Sequence, residues 1–387
     1  MWATEVDAIR VSFWIGTLLL LYTYVGYPLA VVVWARIRPR RVDARPATPT
    51  VSVVVVAHDE EHRIEARLEN LSSLDYPPER LEILVASDGS GDRTVELAKA
   101  RENERLRVFA FPARRGKPAV LNDVVPLARG DIVVFADARQ RFEVGALRAL
   151  AAAFADPAVG AASGELVLTA DERAVTPTGE GVGFYWRYEK LIRVSESAID
   201  STVGATGAIY ALRRALFEPI PADTILDDVL VPLRVTRRGY RVVFVRGAVA
   251  YDHVATSGRD ELRRKARTIG GTFQLLSREH WLLDPLRNRI WFQTISHKLL
   301  RLSSPLLLAV VAVASLLRAD VGFYRAALVL QLAFYSLAWA GHLVAHGEKR
   351  SVALGVPYAI CLLNWATLVG LFRFLTGRQS ATWERVD

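Results

Sequence analysis

Carboxylates and basic residues follow four short apolar segments in the N-terminal half of the chain. The groups are His58-Asp59-Glu60, Asp88-Gly89-Ser90, Arg115-Gly116-Lys117 and Asp137-Ala138-Arg139. Such residues suit a pyrophosphate held by a divalent cation and basic side chains, with one carboxylate left to abstract a proton. Any one of these aspartates is equally well explained as an ordinary turn former. Four such groups at corresponding positions indicate a site for a nucleotide-like phosphate ester.

Several common site motifs are absent from the sequence. It contains no GxGxxG after an apolar segment and no GxxxxGK[ST], HExxH or GxSxG, which argues against the usual dinucleotide, P-loop, zinc-protease and esterase sites. The single cysteine, Cys361, excludes an internal disulfide and a multi-cysteine metal site. A net charge of +8 fits nucleic acid, anionic lipid or a phosphorylated substrate. No basic stripe interleaved with aromatic residues occurs in the predicted soluble half, so nucleic acid is not expected as a partner.

The apolar segments ahead of these groups predict strands, and the stretches between them predict helices. Helical spacing occurs at 60–73, 92–103 and 117–129. Apolar strands that alternate with helices predict an α/β fold with a largely parallel sheet covered on both faces. Ligands bind such sheets at the carboxyl ends of the strands, where the polar groups lie. The strand candidates are VSVVVVA (51–57), EILVAS (82–87), RVFAF (107–111) and DIVVFA (131–136).

Apolar stretches at both ends of the chain predict membrane helices around this domain. Residues 11–34 carry no charge and are long enough to cross a bilayer, although a buried core helix would also fit. The basic run at 36–41 follows them, which places the N-terminus outside and the α/β domain in the cytoplasm. We therefore expect a multi-pass protein of the inner (plasma) membrane. The C-terminal apolar stretches are 302–317, 323–345 and 352–371.

The predicted organisation has five parts. They are an N-terminal transmembrane helix with its basic flank (1–40), a cytoplasmic domain (41–284), an amphipathic interface helix (285–301), C-terminal transmembrane helices (302–375) and a tail (376–387). The basic loop at 347–350 fits a cytoplasmic turn. Three full spans after a cytoplasmic domain would put the C-terminus outside, yet the tail region carries Arg373, Arg378 and Arg385. Either 302–317 is too short to be a full span, or the tail departs from the positive-inside rule.

Five motifs occur in order between residues 51 and 280: VSVVVVAHDEE, SDGSGDRT, RGKPAVLN, VVFADAR and LDDV. Together they resemble the motifs of family-2 glycosyltransferases of the membrane-embedded, cellulose-synthase-like group. The first resembles the family's opening strand and nucleotide-binding turn, with Ala57, Asp59 and Glu60. The second and third resemble its Asp-Gly-Ser-x-Asp-x-Thr and Gly-Lys-x-x-Ala-Leu-Asn segments, and the last two lie where it has Asp-x-Asp and the catalytic Glu-Asp. The resemblance implies a Rossmann-like GT-A fold.

The resemblance also implies an inverting transfer from a UDP-sugar, with a role for each residue. Asp59 and Asp88 would hold the uridine-like base and the ribose, since carboxylates accept hydrogen bonds from imide N–H groups and hydroxyls. Lys117 would neutralise the diphosphate. Asp137 would bind Mg²⁺ or Mn²⁺, which stabilises the leaving group. Asp228 would take the proton of the acceptor hydroxyl.

The acceptor side of the site is assigned to the segment VGATGAIYALR (203–213) and to Asp227. Gly204 and Gly207 would let the backbone approach a sugar closely; a turn before a strand explains them equally well. Asp227 is favoured as the N-cap of the helix that follows, with Asp228 as the base. The alternative is that both residues serve only to start that helix.

Two positions depart from the family pattern. Arg139 replaces the second carboxylate of Asp-x-Asp, so the metal is held by Asp137 alone or is partly replaced by Arg139. Gln-x-x-Arg-Trp of the processive synthases aligns with 264–268, where Arg264 and Arg267 are candidate diphosphate contacts and the tryptophan is missing. Because that tryptophan usually stacks under the acceptor sugar, its loss favours single or few additions. A basic helix that faces solvent or lipid is the alternative explanation for 259–268.

The sequence therefore predicts a membrane-bound hexosyl- or N-acetylhexosaminyltransferase. It would move a sugar from a UDP-sugar to a glycan or lipid-linked acceptor in exopolysaccharide or cell-envelope glycan synthesis. The expected partners are the lipid bilayer and polysaccharide export or assembly proteins. The alternative, suggested by Arg139 and the altered Gln-x-x-Arg-Trp, is a catalytically silent membrane subunit that binds sugar nucleotides.

Overall fold

The computed structural model describes residues 2–169, 177–253, 258–344 and 352–379. The strands are β1 Val51–Ala57, β2 Leu81–Asp88, β3 Leu106–Phe111, β4 Ile132–Asp137, β5 Arg141–Phe142, β6 Val159–Thr169, β7 Ile209–Arg213 and β8 Arg241–His253. The α-helices are α1 Trp2–Leu21, α2 Tyr27–Ile37, α3 Ile64–Ser72, α4 Thr94–Lys99, α5 Lys117–Val124, α6 Ala146–Ala153, α7 Pro177–Ile199, α8 Asp227–Arg237, α9 Gly258–Arg278, α10 Trp291–Gln293, α11 Leu300–Leu317, α12 Gly322–Val344 and α13 Val352–Leu375.

The strands form one mixed sheet in the order β3-β2-β1-β4-β7-β6-β8-β5. Strands β1 to β4 are parallel, β7 is antiparallel to both of its neighbours, and β5 is antiparallel to β8. The α/β prediction with a largely parallel sheet is confirmed, as are the four predicted strands. The register pairs Ala57 with Ser87 and Val56 with Asp137. The polar groups after β1, β2 and β4 therefore meet at one edge of the sheet.

Strand β1 is buried on both faces, which explains its uninterrupted run of valines. Val53 and Val55 pack with helices α3, α4 and α6 in one apolar cluster, while Val54 and Val56 pack with α5 and α8 in another. Side chains alternate between the faces of a strand, so a central strand needs apolar residues at every position. Each fully buried valine contributes roughly 1.5–3 kcal/mol. This packing holds the carboxyl ends of β1 and β4 in place.

The helices between the strands are shorter than the sequence predicts. Helix α4 covers Thr94–Lys99 of the predicted 92–103, and α5 covers Lys117–Val124 of the predicted 117–129. Pro126 follows the end of α5, and proline both lacks an N–H and disfavours helical geometry at the residue before it. The chain therefore leaves the α-helix and makes a 3-10 turn at Val125–Leu127.

In the part of the chain that the structure describes, four helices are long and apolar enough to cross a membrane: Ala8–Ile37, Trp291–Leu317, Gly322–Val344 and Ala353–Leu375. The separate interface helix predicted at 285–301 does not form. The helix begins at Trp291 and runs through a π-helical segment, Thr294–Leu299, directly into α11. The apolar stretch at 302–317 is therefore the second part of a 27-residue helix, Trp291–Leu317, and this helix is long enough to cross a bilayer. The predicted turn at 347–350 and Arg385 lie outside the described residues.

The first apolar helix carries a mostly exposed apolar surface, with Leu18, Val25 and Leu29 each about 60% exposed. This exposure favours a lipid-facing helix over the buried core helix that the sequence left open. Its C-terminal part, α2, packs against α7 of the globular domain through buried Tyr27 and Val31. At the other end of the chain α13 crosses α9 closely. A Cβ added at Gly370 would lie 2.9 Å from the Ala266 carbonyl oxygen.

Candidate active site

A cavity of about 1480 Å³ opens where the carboxyl ends of β1 and β4 face α7, α8, α9 and the apolar helices. Five of the predicted nucleotide-side residues line its wall at the edge of the sheet: Asp59, Glu60, Lys117, Asp137 and Arg139. The wall also includes the predicted acceptor-side residues Gly207, Asp227 and Asp228, together with Arg264 and Arg267. One cavity thus collects residues from motifs that are more than two hundred positions apart in the chain.

Lys117 is the centre of a cluster of charges in this cavity. Its Nζ donates to Asp137 Oδ1 at 2.7 Å and lies 3.7 Å from Asp227 Oδ2. Gly116 has φ of +90°, a conformation that favours glycine, and it turns the chain so that Lys117 becomes the first residue of α5. Burial disfavours the charged ammonium, but the carboxylates of Asp137, Asp227 and Asp228 outweigh burial and raise the pKa of Lys117 above its ordinary value. Lys117 is therefore a fixed positive charge at the sheet edge.

Asp228 is the second residue of α8 and faces the same cavity. Burial and the neighbouring Asp227 carboxylate raise its pKa to about 6, against the opposing effect of Lys117. A Cβ added at Gly207 would lie 3.1 Å from Asp228 Oδ2, so a side chain at that position would crowd the carboxylate. Asp228 is therefore ionised near neutral pH yet basic enough to accept a proton.

Asp227 does not act as the helix cap that the sequence suggested. The N-cap of α8 is Leu226, and no side chain caps this helix. Asp227 is instead the first helical residue, is buried at 8% exposure and faces Lys117. The positive end of the helix favours a carboxylate at this position without a capping hydrogen bond.

Two predicted nucleotide contacts are not on the cavity wall. Asp88 is fully buried, and its two carboxylate oxygens accept from the backbone N–H groups of Arg115 and Gly116 at 2.7 and 2.8 Å. Ala57 is buried in the core beneath the sheet edge. A carboxylate with both oxygens engaged holds a loop in place, so Asp88 positions the turn that presents Lys117.

The turn after β1 is held by the turn after β2. Asp59 has φ of +53°, an uncommon conformation that aspartate tolerates better than most residues. Its Oδ1 accepts from the Gly91 N–H at 2.8 Å, and its own N–H donates to Ser90 Oγ at 3.1 Å. The Glu60 N–H donates to Thr94 Oγ1 at 2.7 Å. The Asp-Gly-Ser-x-Asp-x-Thr motif therefore shapes the first turn, and the other Asp59 oxygen, Oδ2, lies 3.4 Å from His58 Nε2 on the cavity wall.

The second position of the Asp-x-Asp motif carries an ion pair. Arg139 Nη2 donates to Asp252 Oδ2 at 2.7 Å, and Gln140 Nε2 donates to the same oxygen at 3.0 Å. Asp252, at the end of β8, is 3% exposed. Sequence reasoning missed it, although it ends an apolar strand just as Asp137 does.

Arg67 on α3 is a second functional candidate that sequence reasoning missed. It lines the cavity at 2% exposure and lies over the Phe142 ring at 4.1 Å. Its Nη1 donates to Asn70, whereas its buried Nε and Nη2 have no hydrogen-bond partner among the described residues. Burial lowers the pKa of Arg67 to about 9, although Asp137 opposes the change. A buried guanidinium with two unused donors fits an anionic or carbonyl ligand.

The remaining predicted residues are on the acceptor side. Gly204 has φ of +95° and packs on Val229, so it shapes the turn before β7 and is not itself on the wall. Gly207, in the same turn, is on the wall. Both explanations of this segment therefore apply, a turn before a strand and a cavity lining. Arg264 and Arg267 lie on α9 and also line the cavity, which argues against a helix that faces only solvent or lipid.

Comparison with known proteins agrees with the fold. Residues 52–219 match the family model described as Glycosyl transferase family 2. Over 142 residues the chain is 32% identical to a beta-monoglucosyldiacylglycerol synthase of Trichormus variabilis, covering 36% of this chain and 30% of that protein. It is 27% identical over 280 residues to an N-acetylglucosaminyltransferase of Sinorhizobium fredii, covering 68% and 66% of the two chains.

A solved mannosyltransferase from Pyrobaculum calidifontis, in complex with GDP-Man and Mn²⁺, matches with a TM-score of 0.70 at 23% identity. The match covers 95% of this chain and 100% of that one, and it confirms the predicted GT-A fold. The chain spans about a third of the length of the first glucosyldiacylglycerol synthase that it matches.

Proposed function

The chain carries a glycosyltransferase family 2 domain at residues 52–219, and on that premise we propose that it transfers a sugar from a UDP-sugar to an acceptor at the membrane, with inversion. One observation carries the proposal. Asp228, a carboxylate with a pKa of about 6, shares a cavity with the Lys117–Asp137 pair. A base and a phosphate-binding cation on one cavity wall are what a direct displacement at a glycosyl phosphate needs.

The proposed reaction is a single displacement. The acceptor hydroxyl attacks the anomeric carbon, and Asp228 takes the proton of that hydroxyl. A bond forms between the acceptor oxygen and the anomeric carbon as the bond from that carbon to the diphosphate oxygen breaks. UDP leaves, and the positive charge of Lys117 stabilises the charge that develops on its diphosphate.

The donor would lie along the sheet edge. Asp59 Oδ2, which lies 3.4 Å from His58 Nε2, would accept from the base or the ribose. The guanidinium of Arg67, which lines the same cavity, would contact the nucleotide, and its burial would make such a contact strong. Asp88 would act one step away, through the loop that it holds at Arg115 and Gly116.

A divalent cation fits this site if one protein carboxylate, that of Asp137, is enough to hold it. Asp137 offers one carboxylate at 39% side-chain exposure, and no group of three metal-binding side chains occurs within the described ranges. Mg²⁺ commonly takes one or two carboxylates and completes its shell with water and substrate phosphate, so Asp137 is the residue that would hold it. The cation would neutralise the diphosphate of the donor.

The names of the relatives guide the choice of substrate. The glucosyldiacylglycerol synthase match favours a lipid acceptor and a hexose donor, and the N-acetylglucosaminyltransferase match favours an N-acetylhexosamine donor. Four apolar helices fit a multi-pass protein of the inner membrane whose α/β domain lies in the cytoplasm. The product would then be a glycolipid or a glycan of the cell envelope. Single or few additions remain the favoured mode.

A silent sugar-nucleotide-binding subunit is the second candidate, because Arg139 pairs with Asp252 where the family has a metal ligand. UDP release by the full-length protein in lipid nanodiscs separates the two functions. We expect release from one member of a panel of UDP-, GDP- and TDP-sugars, and its loss in Asp228→Asn. UDP-sugar binding by calorimetry without release of UDP, even with bacterial lipids as acceptors, would favour the silent subunit. Failure to bind any nucleotide would refute both functions.

A further inference from the structure

The cavity has two ends that differ in charge. We define the sheet end as the wall formed by the strand-end turns, α3, α5, β8 and the start of α8. The membrane end is the wall formed by α7, α9, the helix Trp291–Leu317, and α13 with the residues after it. Every acidic residue of the lining belongs to the sheet end, and every charged residue of the membrane end is basic. The membrane-end cations are Arg193, Arg263, Arg264, Arg267, Lys298, Arg373 and Arg378.

Several of these cations lack a carboxylate in the structure. Within the described ranges, Lys298, Arg373 and Arg378 form no ion pair. Positive charges that face one cavity with low-dielectric walls repel each other and raise the local affinity for anions. The sheet end is different, because six carboxylates line it beside its basic residues, and two of them pair with Lys117 and Arg139.

Among the described residues Lys298 has no ion-pair partner, because the carboxylates near it are engaged by other side chains. The nearby buried carboxylates, Glu189 and Glu196, are both held by His297, at 3.1 Å and 2.8 Å. Tyr27 donates to Glu196 at 2.5 Å, and Arg301 donates to Glu189 at 2.8 Å. These contacts leave the Lys298 ammonium to face the cavity.

The π-helical segment Thr294–Leu299 sets this division of roles. His297 is buried at 1% exposure among the two glutamates, whereas its neighbour Lys298 is on the cavity wall, together with Thr294 one turn earlier. A π-helical turn shifts the faces of a helix and often occurs at functional sites. The π-helical segment therefore directs His297 into the buried ion cluster and its neighbour Lys298 to the cavity wall.

The membrane end is apolar as well as cationic. Leu275 and Leu276 of α9, Leu282, and Val369 and Phe372 of α13 line it beside the basic residues. Helices long and apolar enough to cross a bilayer contribute Lys298, Phe372 and Arg373 directly to this wall. Cationic and apolar groups together match an amphiphile with an anionic head.

We propose that the membrane end of the cavity binds a lipid whose head group carries a phosphate, with Lys298 as its main charge partner. The inference rests on the proposed function, because it makes this lipid the molecule that carries the acceptor hydroxyl. The sheet end holds the sugar nucleotide and the membrane end holds the lipid phosphate. The acceptor reaches Asp228 from the membrane side.

The test uses the full-length protein in micelles of dodecyl maltoside, a detergent that contains no phosphate, and measures ligand binding by native mass spectrometry. The probes are farnesyl phosphate, farnesol and inorganic phosphate, and UDP-sugar binding is measured in parallel by calorimetry. We expect farnesyl phosphate to bind at least about tenfold more tightly than farnesol or inorganic phosphate. Lys298→Met should remove that preference and leave UDP-sugar affinity within about twofold of the unsubstituted protein, a factor of ten being about 1.4 kcal/mol.

Arg287→Met is the matched control. Arg287 is close to Lys298 in sequence, is 75% exposed on its side chain and pairs with Asp284. The control should keep the preference for farnesyl phosphate, and thermal unfolding should confirm that both variants are folded.

Three results would overturn the inference. They are equal affinity for farnesyl phosphate and farnesol, equal affinity for farnesyl phosphate and inorganic phosphate, and a Lys298→Met variant that keeps the preference. A Lys298→Met variant that loses UDP-sugar binding would place Lys298 in the donor site and would also overturn it. UDP-sugar binding in the unsubstituted protein distinguishes failure of the lipid inference from failure of the proposed function. If only the lipid inference is wrong, the unsubstituted protein still binds a UDP-sugar; if the proposed function is wrong, it does not.

Discussion

The two ends of the cavity differ in how their charges are balanced. At the sheet end the cations Lys117 and Arg139 have aspartate partners, Asp137 near the end of β4 and Asp252 near the end of β8. At the membrane end the charged lining residues are all basic, and Lys298, Arg373 and Arg378 have no carboxylate partner within the described ranges. Breaking a buried ion pair costs free energy, whereas cations without a carboxylate partner attract anionic ligands. The contrast predicts that substitutions at the two ends will affect different substrates.

The largest effect is expected for Asp228→Asn at the sheet end. The substitution keeps the size of the side chain and removes the base, so kcat should fall about 10²–10⁴-fold. UDP-sugar affinity should change little. Measurement of UDP release alongside calorimetric binding checks both statements.

Glu96→Gln serves as the control for Asp228→Asn, because Glu96 is an exposed residue of α4 and does not line the cavity. It should keep full activity. If Asp228→Asn also kept full activity, the sheet end of the cavity would not be the catalytic end.

The next largest effect is expected for Lys117→Met, which should change the pH dependence of kcat/KM. With a pKa of about 6, Asp228 gains its negative charge as pH rises through that value, so kcat/KM should rise with pH and level off about one unit above it. Lys117 lowers the pKa of Asp228, so Lys117→Met should shift this limb to higher pH. It should also weaken donor binding. Rates between pH 4.5 and 8.5, on donor concentrations well below KM, test the shift.

A Lys117→Met profile that keeps its midpoint would show that the base is not electrostatically linked to Lys117. Lys99→Met provides the comparison, because Lys99 is an exposed residue at the end of α4. Its profile should match that of the unsubstituted protein.

Arg67→Met should separate binding from stability. The buried guanidinium has two unsatisfied donors, and replacing such a charge with an apolar side chain is often neutral or stabilising by about 1–4 kcal/mol. We therefore expect an unchanged or higher Tm with donor affinity reduced about tenfold, since hydrogen bonds to charged groups contribute about 1.5–3 kcal/mol. Reduced Tm together with unchanged donor affinity would show that Arg67 is a structural residue.

The smallest effect is expected for Arg373→Met at the membrane end. Arg373 lies in the last turn of α13, and one of several cations around an open rim contributes little by itself, about 1 kcal/mol or less. Farnesyl phosphate binding should weaken only about threefold, and UDP-sugar binding should not change. A larger loss of UDP-sugar than of farnesyl phosphate binding would contradict the division of the cavity into two ends.

Local patterns predicted much of the sheet end. The valine run of β1 and the aspartates after β1 and β4 follow from side-chain alternation and from the placement of ligand sites at strand ends. The family resemblance implied a nucleotide contact for Asp88, whereas in the structure both of its oxygens accept from the turn before Lys117. A strand-end carboxylate looks the same in sequence whether it faces the cavity or a neighbouring loop. Only the packing of that loop distinguishes the two cases.

The sequence by itself determined the α/β class, the four strands, the apolar helices and most of the residues around Lys117, because these depend on local periodicity and on motifs a few residues long. The tertiary structure alone decided that Arg67 and Asp252 belong to the site and that Asp227 is not a cap. It also decided that Trp291–Leu317 is one helix and that Lys298 faces the cavity while His297 faces Glu189 and Glu196. These features depend on which distant side chains satisfy one another's charges, and that information is not contained in the spacing along the chain.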